Sequence, residues 1–263
     1  MKSKSRDEST KTQADAELEP TPFLPGQKLR FRCHKGVRCF TECCRDLNLF
    51  LSPYDILRLK NRLRISSGEF LRKYGATNIG VVSGFPVMTL RMNKDEAKTC
   101  PFVTPEGCTV YSDRPASCRT YPLGRLVEKN RDTGKKKETY FLFQEDHCCG
   151  FEEKSEWTIE EWLADQEIET YNQMNDLFME LVISRDRSGK TRLTDEEMRN
   201  FALASYNIDK FKGIVFQEGL LNGFDLSPEY MERLGSDELE LMKFGIKWAQ
   251  FSVFGEDTMP RKR

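Results

Sequence analysis

The sequence has no long hydrophobic run and very little histidine, with two residues among 263. A membrane-spanning helix requires roughly 20 consecutive apolar residues, and no window of the chain approaches that length. The first 22 residues, MKSKSRDESTKTQADAELEPTP, lack the apolar segment of a signal peptide. We therefore expect a cytoplasmic chain that has no contact with a membrane.

The chain also lacks an excess of charge of either sign, since its formal net charge is −1 at pH 7. No overall field therefore attracts nucleic acid. Two short basic runs, GKKK at 134–137 and RKR at 261–263, have no interleaved aromatic residues for base stacking and are expected to be solvated. Nucleic acid is therefore not an expected partner.

Motifs for nucleotide binding and for hydrolysis are missing as well. There is no Walker A loop, and no G-x-G-x-x-G follows a predicted strand. The motifs G-x-S-x-G and H-E-x-x-H are absent, and two histidines leave little room for a Ser–His–Asp triad. The sequence supports none of these enzyme classes and leaves open whether the chain catalyses a reaction.

Cysteine, by contrast, is plentiful and confined to one part of the chain. All nine cysteines lie between residues 33 and 149, and the 114 residues that follow contain none. Stable disulfides are rare in a reducing compartment, and an odd number of cysteines fits a closed disulfide framework poorly. Metal or cluster ligation is the favoured interpretation, with disulfides and buried inert thiols as alternatives.

The first cysteine group, RCHKGVRCFTECC at residues 32–44, has a spacing that suits a soft metal. Thiolates prefer zinc, iron–sulfur clusters or thiophilic metals, and structural zinc sites often separate paired ligands by two to four residues. Cys39 and Cys43 have three residues between them. The adjacent Cys43 and Cys44 cannot easily face one ion, so they indicate two ions, one polynuclear cluster, or one thiol that turns away.

Two further cysteine groups follow. The segment CPFVTPEGCTVYSDRPASCRTYP at 100–122 is punctuated by proline, which predicts a rigid, irregular loop that suits metal ligands. The third group, HCCG at 147–150, ends in a glycine that permits a tight turn. His34 and His147 lie beside cysteines, and imidazole is a common zinc ligand. Nine thiols nevertheless saturate two tetrahedral sites, so we expect both histidines to be solvated neighbours or partners of a thiolate.

Together these segments resemble the CxxCxxCC cysteine-cluster family, a zinc- or iron-chelating domain of the YkgJ type. The resemblance covers roughly residues 30–150. It rests on the Cys43–Cys44 pair, the middle Cys100, a late cysteine near Gly150 and the segment CTVYSDRPASCR at 108–119. The first two gaps between cysteines are five and three residues long, whereas the family typically has two residues in each.

The resemblance implies metal chelation by about eight thiolates. The implied metal is zinc or iron, with an iron–sulfur cluster as a further form. Cys149 is the favoured last ligand, with Cys148 as the alternative. The full predicted ligand set is Cys33, Cys39, Cys43, Cys44, Cys100, Cys108, Cys118 and Cys149.

Three residues of the middle loop are expected to support this site. Arg114 and Arg119 would offset the negative charge of several thiolates on one ion, with ordinary salt bridges as the alternative. Tyr111 would orient the loop.

Two other functions stand beside metal chelation. Flagellin lysine-N-methylases carry a similar cysteine cluster, so an iron- or iron–sulfur-dependent enzyme is an alternative, although no glycine motif for adenosylmethionine is recognisable. The third hypothesis is a metal-handling module whose helical half docks a protein partner.

The residue patterns predict an α+β fold. Residues 1–22 are expected to form a disordered tail. Residues 23–154 are expected to form an irregular cysteine-rich metal-binding domain with short strands and hairpins, and residues 155–263 a mostly α-helical region packed on it. Strands are predicted within 28–33 and 47–51, a strand or hairpin within 79–92, and a hairpin within 122–144.

Capping signals predict where the helices begin. Ser52 and Pro53 start one helix, and a second short helix covers 66–74. The pattern T-x-x-E predicts capping boxes at Thr158 and Thr194. The helix after Thr158 is predicted to reach about residue 184. The others cover about 195–218 with a break near Asn207, 228–234 and 236–253.

Overall fold

Short antiparallel strands lie mostly in the N-terminal half of the chain and helices in the C-terminal half. This is the arrangement of a computed structural model that describes residues 21–24, 26–80, 84–129, 133–190 and 192–262. It confirms the predicted α+β class. The predicted tail lies outside the described residues, except that Thr21 and Pro22 begin a strand. Among the described residues, no helix has the length and apolar composition needed to cross a bilayer.

The strands are short and form four antiparallel sheets in the described part of the chain. They are β1 (Thr21–Phe23), β2 (Leu29–Arg30), β3 (Phe50–Leu51), β4 (Gly75–Ile79), β5 (Pro86–Leu90), β6 (Val103–Thr104), β7 (Gly107–Cys108), β8 (Leu123–Lys129), β9 (Lys136–Leu142) and β10 (Glu156–Trp157). The sheets are β1–β9–β8, β2–β10, β3–β5–β4 and β6–β7. The strands predicted within 28–33 and 47–51 and the hairpin within 122–144 are confirmed as β2, β3 and β8–β9. The first hairpin starts earlier than predicted, because β4 begins at Gly75.

The helices of the described residues lie mainly in the second half of the chain. They are α1 (Pro53–Leu63), α2 (Ser67–Tyr74), α3 (Ala116–Thr120), α4 (Ile159–Asp165), α5 (Glu169–Ser188), α6 (Asp195–Tyr206), α7 (Ile208–Gln217), α8 (Pro228–Ser236) and α9 (Glu238–Phe254). The break predicted near Asn207 is confirmed, since that residue separates α6 from α7.

Side-chain caps explain why several helices begin where they do. Thr158 and Thr194 each accept a hydrogen bond from the backbone N–H three residues later, and the glutamate at that later position accepts one in return. These reciprocal pairs satisfy N–H groups that have no partner within the helix. Both predicted capping boxes are therefore confirmed.

The single helix predicted from Thr158 to about residue 184 is wrong. α4 ends at Asp165 and α5 begins at Glu169, and between them Glu167 has a φ of 49°. A left-handed residue cannot continue a right-handed helix. No glycine or proline marks the break, because its cause is a tertiary contact: the Gln166 carbonyl accepts a hydrogen bond from a buried arginine.

Two apolar cores hold these elements together. The main core packs α1, α2 and β5 against the C-terminal helices, so both halves of the chain contribute to it. The second core is smaller and contains Phe23, Leu29, Phe31, Leu123 and Trp162. The Phe31 and Trp162 rings meet edge to face, with centroids 5.6 Å apart. The cysteine-bearing loops lie against both cores.

Candidate metal centre

Backbone hydrogen bonds join the three cysteine segments. The N–H of Cys100 donates to the Cys44 carbonyl at 2.8 Å, which joins the first segment to the second. The N–H of Arg32 donates to the Gly150 carbonyl at 3.0 Å, which joins the first segment to the third. Residues more than fifty positions apart are thus held side by side, and all nine cysteines are free thiols.

Four thiols form what we call the inner group: Cys44, Cys100, Cys108 and Cys118. Cys100 is buried in the main core, and Cys44 and Cys108 pack against that core. Cys118, on α3, is close enough to Cys100 and Cys108 for its thiolate to be repelled by theirs. Burial is the largest cause of the raised pKa values of Cys100, Cys108 and Cys118.

Four more thiols form the outer group: Cys33, Cys39, Cys148 and Cys149. Cys148 packs against the second core. Burial raises the pKa of Cys33 to about 11, with further contributions from the thiolates of Cys43, Cys39 and Cys148. The N–H of Cys149 donates to the Cys39 sulfur at 3.1 Å. The thiol of Cys149 itself is directed at the His147 carbonyl, 3.7 Å away.

Cys43 lies between the two groups, on the 3-10 turn Glu42–Cys44. Its thiolate repels that of Cys33 in the outer group and those of Cys100 and Cys118 in the inner group. A side-chain hydrogen bond with Cys44 lowers the pKa of Cys43 and raises the pKa of Cys44. The adjacent pair is therefore the point at which the two groups meet.

Most of these thiols hold their protons more firmly than a free cysteine, because their pKa values are raised. Metal ligands must be thiolates, so binding displaces these protons. Within the residues that the structure describes, the His, Cys, Asp and Glu side chains form no group of three already arranged around one ion. The donor chemistry of clustered thiols fits a soft cation.

The two histidines are engaged with other groups. His34 accepts a hydrogen bond at Nδ1 from the Gly36 N–H at 3.1 Å, and its Nε2 lies 3.4 Å from a Glu153 carboxylate oxygen. The Nε2 of His147 lies 3.6 Å from a Glu145 carboxylate oxygen. His34 thus has a neighbour at both nitrogens, which agrees with a supporting place beside the thiols.

Arg114 and Arg119 lie beneath the inner group and are 8% and 3% exposed. Arg114 donates to the Tyr111 carbonyl at 2.7 Å and to the Gln166 side-chain oxygen. Its guanidinium carbon lies 3.9 Å from the centroid of the Tyr111 ring. Arg119 donates to the carbonyls of Gln166 and Ser112 at 2.5 and 2.6 Å.

Few carboxylates lie close to these two arginines, and the buried Asp55 carboxyl is one that interacts electrostatically with Arg119. Among the described residues, no carboxylate lies within 4.0 Å of Arg114, and Arg119 has only Glu167 at 3.9 Å, whose side chain is 86% exposed. The Cys108 and Cys118 thiolates act electrostatically on Arg114. That these arginines offset thiolate charge stays a prediction, with ordinary salt bridges as the alternative.

Three residues that sequence reasoning did not place in the site also lie there. The Gln166 side-chain oxygen accepts a hydrogen bond from Arg114, and its carbonyl accepts one from Arg119. The buried hydroxyl of Tyr121 faces Cys148, and this polar contact lowers the pKa of Cys148 against the larger effect of burial. Asp55 accepts a hydrogen bond from Ala116, next to the cysteine of α3. Their partners are 27 to 61 positions away, so no local pattern could have found them.

The region that contains the cysteines matches a known protein family. Residues 32–174, more than half of the chain, match the CxxCxxCC family, whose description reads "Putative zinc- or iron-chelating domain". The matched region contains all nine cysteines and both buried arginines. Searches found no similar curated protein and no similar solved structure. Metal binding is the general function that the family supports. The chain belongs to the CxxCxxCC family of metal-chelating domains.

Proposed function

We propose that this protein binds two zinc or iron ions through two neighbouring sites of four cysteine thiolates each. The observation that carries the proposal is that Cys44, Cys100 and Cys108 pack with the main core and Cys148 with the second core, while Cys43 and Cys44 are adjacent on one 3-10 turn. Adjacent residues on a 3-10 turn are about 120° apart around its axis, although the Cys43 and Cys44 thiols interact with each other here. The pair can therefore supply one ligand to each site.

The inner site takes Cys44, Cys100, Cys108 and Cys118. The supporting contacts are the Cys100–Cys44 backbone hydrogen bond and the mutual repulsion of the Cys44, Cys100 and Cys118 thiolates. The Arg114 and Arg119 guanidinium groups provide positive charge for a site in which four thiolates surround one dication.

The outer site takes Cys33, Cys39, Cys43 and Cys148. The sequence favoured Cys149 as the last ligand, but the contacts of the two side chains in the structure support Cys148. The Cys148 thiolate interacts with those of Cys33 and Cys39 and faces the Tyr121 hydroxyl. Cys149 also interacts with Cys39, but its thiol is directed at the His147 carbonyl and lies beside Arg38, and it is Cys148 that acts on Cys33.

A site of four thiolates has no open coordination position, which supports a chelating or structural role over catalysis. The bound ions would supply cross-links between the main core, which holds the inner group, and the second core, which holds Cys148. A reducing, cytoplasmic setting is part of the proposal, because the ligands must stay free thiols.

The test is anaerobic purification without chelators, followed by metal analysis and an absorbance spectrum. We expect close to two ions per chain and no acid-labile sulfide. Brown protein with sulfide would replace the two ions by an iron–sulfur cluster. Metal-free protein with nine titratable thiols would contradict the proposal outright.

Serine variants test which thiols belong to which site. Cys118→Ser and Cys33→Ser are each expected to lose about one ion, since each removes a ligand from a different site. Cys149→Ser is the matched control and should keep both ions. If Cys149→Ser loses an ion and Cys148→Ser does not, the outer site has the other member of that pair.

A further inference from the structure

Asp55 is a buried carboxylate that joins the beginnings of two helices. It is 2% exposed. One of its oxygens accepts the Ser52 N–H at 2.8 Å, which completes the capping box of α1. The other accepts the Ala116 N–H at 2.8 Å, at the first residue of α3. One side chain therefore fixes α3 relative to α1 across 61 positions of sequence.

α3 depends on this contact because it has little means of holding its own position. It is five residues long, and the residue before it, Pro115, makes no side-chain cap. Helix starts leave N–H groups that need partners from elsewhere. Asp55 supplies the acceptor at Ala116, two residues before Cys118.

We propose that Asp55 is a positioning residue that aims the Cys118 thiol at the inner metal site. This inference rests on the proposed function, because it assumes that Cys118 is a ligand. Asp55 does not touch the ion. It acts through the Ala116 N–H and the turn of α3 that carries Cys118.

Charge and position make opposite predictions, which allows them to be separated. The Asp55 carboxylate repels the Cys118 thiolate. By charge alone, Asp55→Asn would therefore ease formation of the thiolates and strengthen metal binding. By position, the same substitution weakens binding, because an amide cannot accept from both Ser52 and Ala116 as the carboxylate does. The sign of the change decides between the two.

The experiment is a Co²⁺ titration of the full chain, with the visible d–d spectrum and competition against a chelator as readouts. Asp55→Asn is expected to lower the affinity for one of the two bound ions by ten- to a hundredfold, the usual effect of losing a supporting contact. It should also alter the spectrum of that ion. Ser52→Ala is the control, since it disturbs the α1 cap and leaves the Asp55–Ala116 bond in place. It should keep the wild-type spectrum and affinity.

A second variant covers the case in which Asp55→Asn does not fold. Ala116→Pro replaces the donor N–H by a ring methylene that pushes the Asp55 carboxylate away, and proline is accepted at a first helical position. It should weaken the same ion. Wild-type affinity in Ala116→Pro, or tighter binding in Asp55→Asn, would overturn the role of Asp55. Failure of the wild-type chain to take up Co²⁺ would instead overturn the proposed function.

Discussion

At the scale of single residues, a site of several thiolates would benefit most from a buried positive charge beside it. Arg114 is 8% exposed and has hydrogen-bond partners, but no carboxylate within 4.0 Å among the described residues. A buried charge without a counter-ion costs several kcal/mol. Protonated thiols cannot supply that counter-charge, whereas the thiolates of a metal-bound Cys108 and Cys118 can. If Cys108 and Cys118 bind the proposed ion, metal binding and burial of this arginine would therefore support each other.

Replacing Arg114 tests this coupling. Arg114→Gln removes the charge and should weaken binding of the inner ion about tenfold. Arg114→Lys keeps the charge and should retain more of the affinity. In the iron-loaded protein, Arg114→Gln should also lower the reduction potential, because the Fe²⁺ state carries the more negative site. Competition titration and voltammetry measure the two effects.

The exposed Arg72→Gln is the control for a general loss of positive charge, and it should behave as wild type. Equal losses in Arg114→Gln and Arg114→Lys would contradict the role of charge. That result would point instead to the stacking of the guanidinium on Tyr111.

At the scale of elements, the helices that begin at their own capping signals were predictable and the elements held by distant contacts were not. Ser52, Thr158 and Thr194 each begin a helix with a capping pattern that spans four residues of sequence. α3 begins at a cap that comes from α1, and the α4–α5 break serves a buried arginine, so neither has a local signal. The site follows the same division. Thiol chemistry identified the candidate ligands, but their partition depends on which loops meet in space.

Gly150 lies in the turn that follows Cys148, and its close packing fixes the position of that turn. A Cβ at this position would lie 2.5 Å from the Phe31 ring and 3.1 Å from the Arg32 carbonyl oxygen. Gly150→Ala should therefore destabilise the fold by about 1–3 kcal/mol, the usual effect of overpacking a core. It should also weaken the outer ion, because it displaces the turn that carries Cys148.

Chemical denaturation and metal titration measure both effects. Gly213→Ala, in the middle of α7, is the matched control, since its Cβ would meet nothing closer than 3.7 Å. Alanine is a better helix former than glycine, so this variant should gain about 0.5–1 kcal/mol. An unchanged stability of Gly150→Ala would show that the turn adapts and does not set the ligand position.

At the scale of the whole molecule, the two halves of the chain share one core, while the second core depends on the cysteine loops. Lys60 on α1 is 4% exposed, and its Nζ lies 2.5 Å from Glu238 on α9 and 3.4 Å from Asp209 on α7. These contacts join three helices of the main core and involve no cysteine. Among the described residues, the second core has five buried side chains and adjoins the outer thiol Cys148. Metal loss should therefore affect the two cores unequally.

Hydrogen exchange after chelation at neutral pH measures this difference. We expect large losses of amide protection in β2, β10 and the Cys148 turn, and small losses in α6, α7 and α9. Lowering the pH should produce the same pattern, because raised thiol pKa values, such as that of Cys33 at about 11, favour the protonated, non-binding form. Without metal, the change of stability with pH has the opposite sign. The folded chain holds the Cys33 proton more firmly than the unfolded chain, so stability is present below pH 9 and is lost as the pH rises towards 11. Uniform loss of protection across both cores on chelation would contradict a metal that joins them.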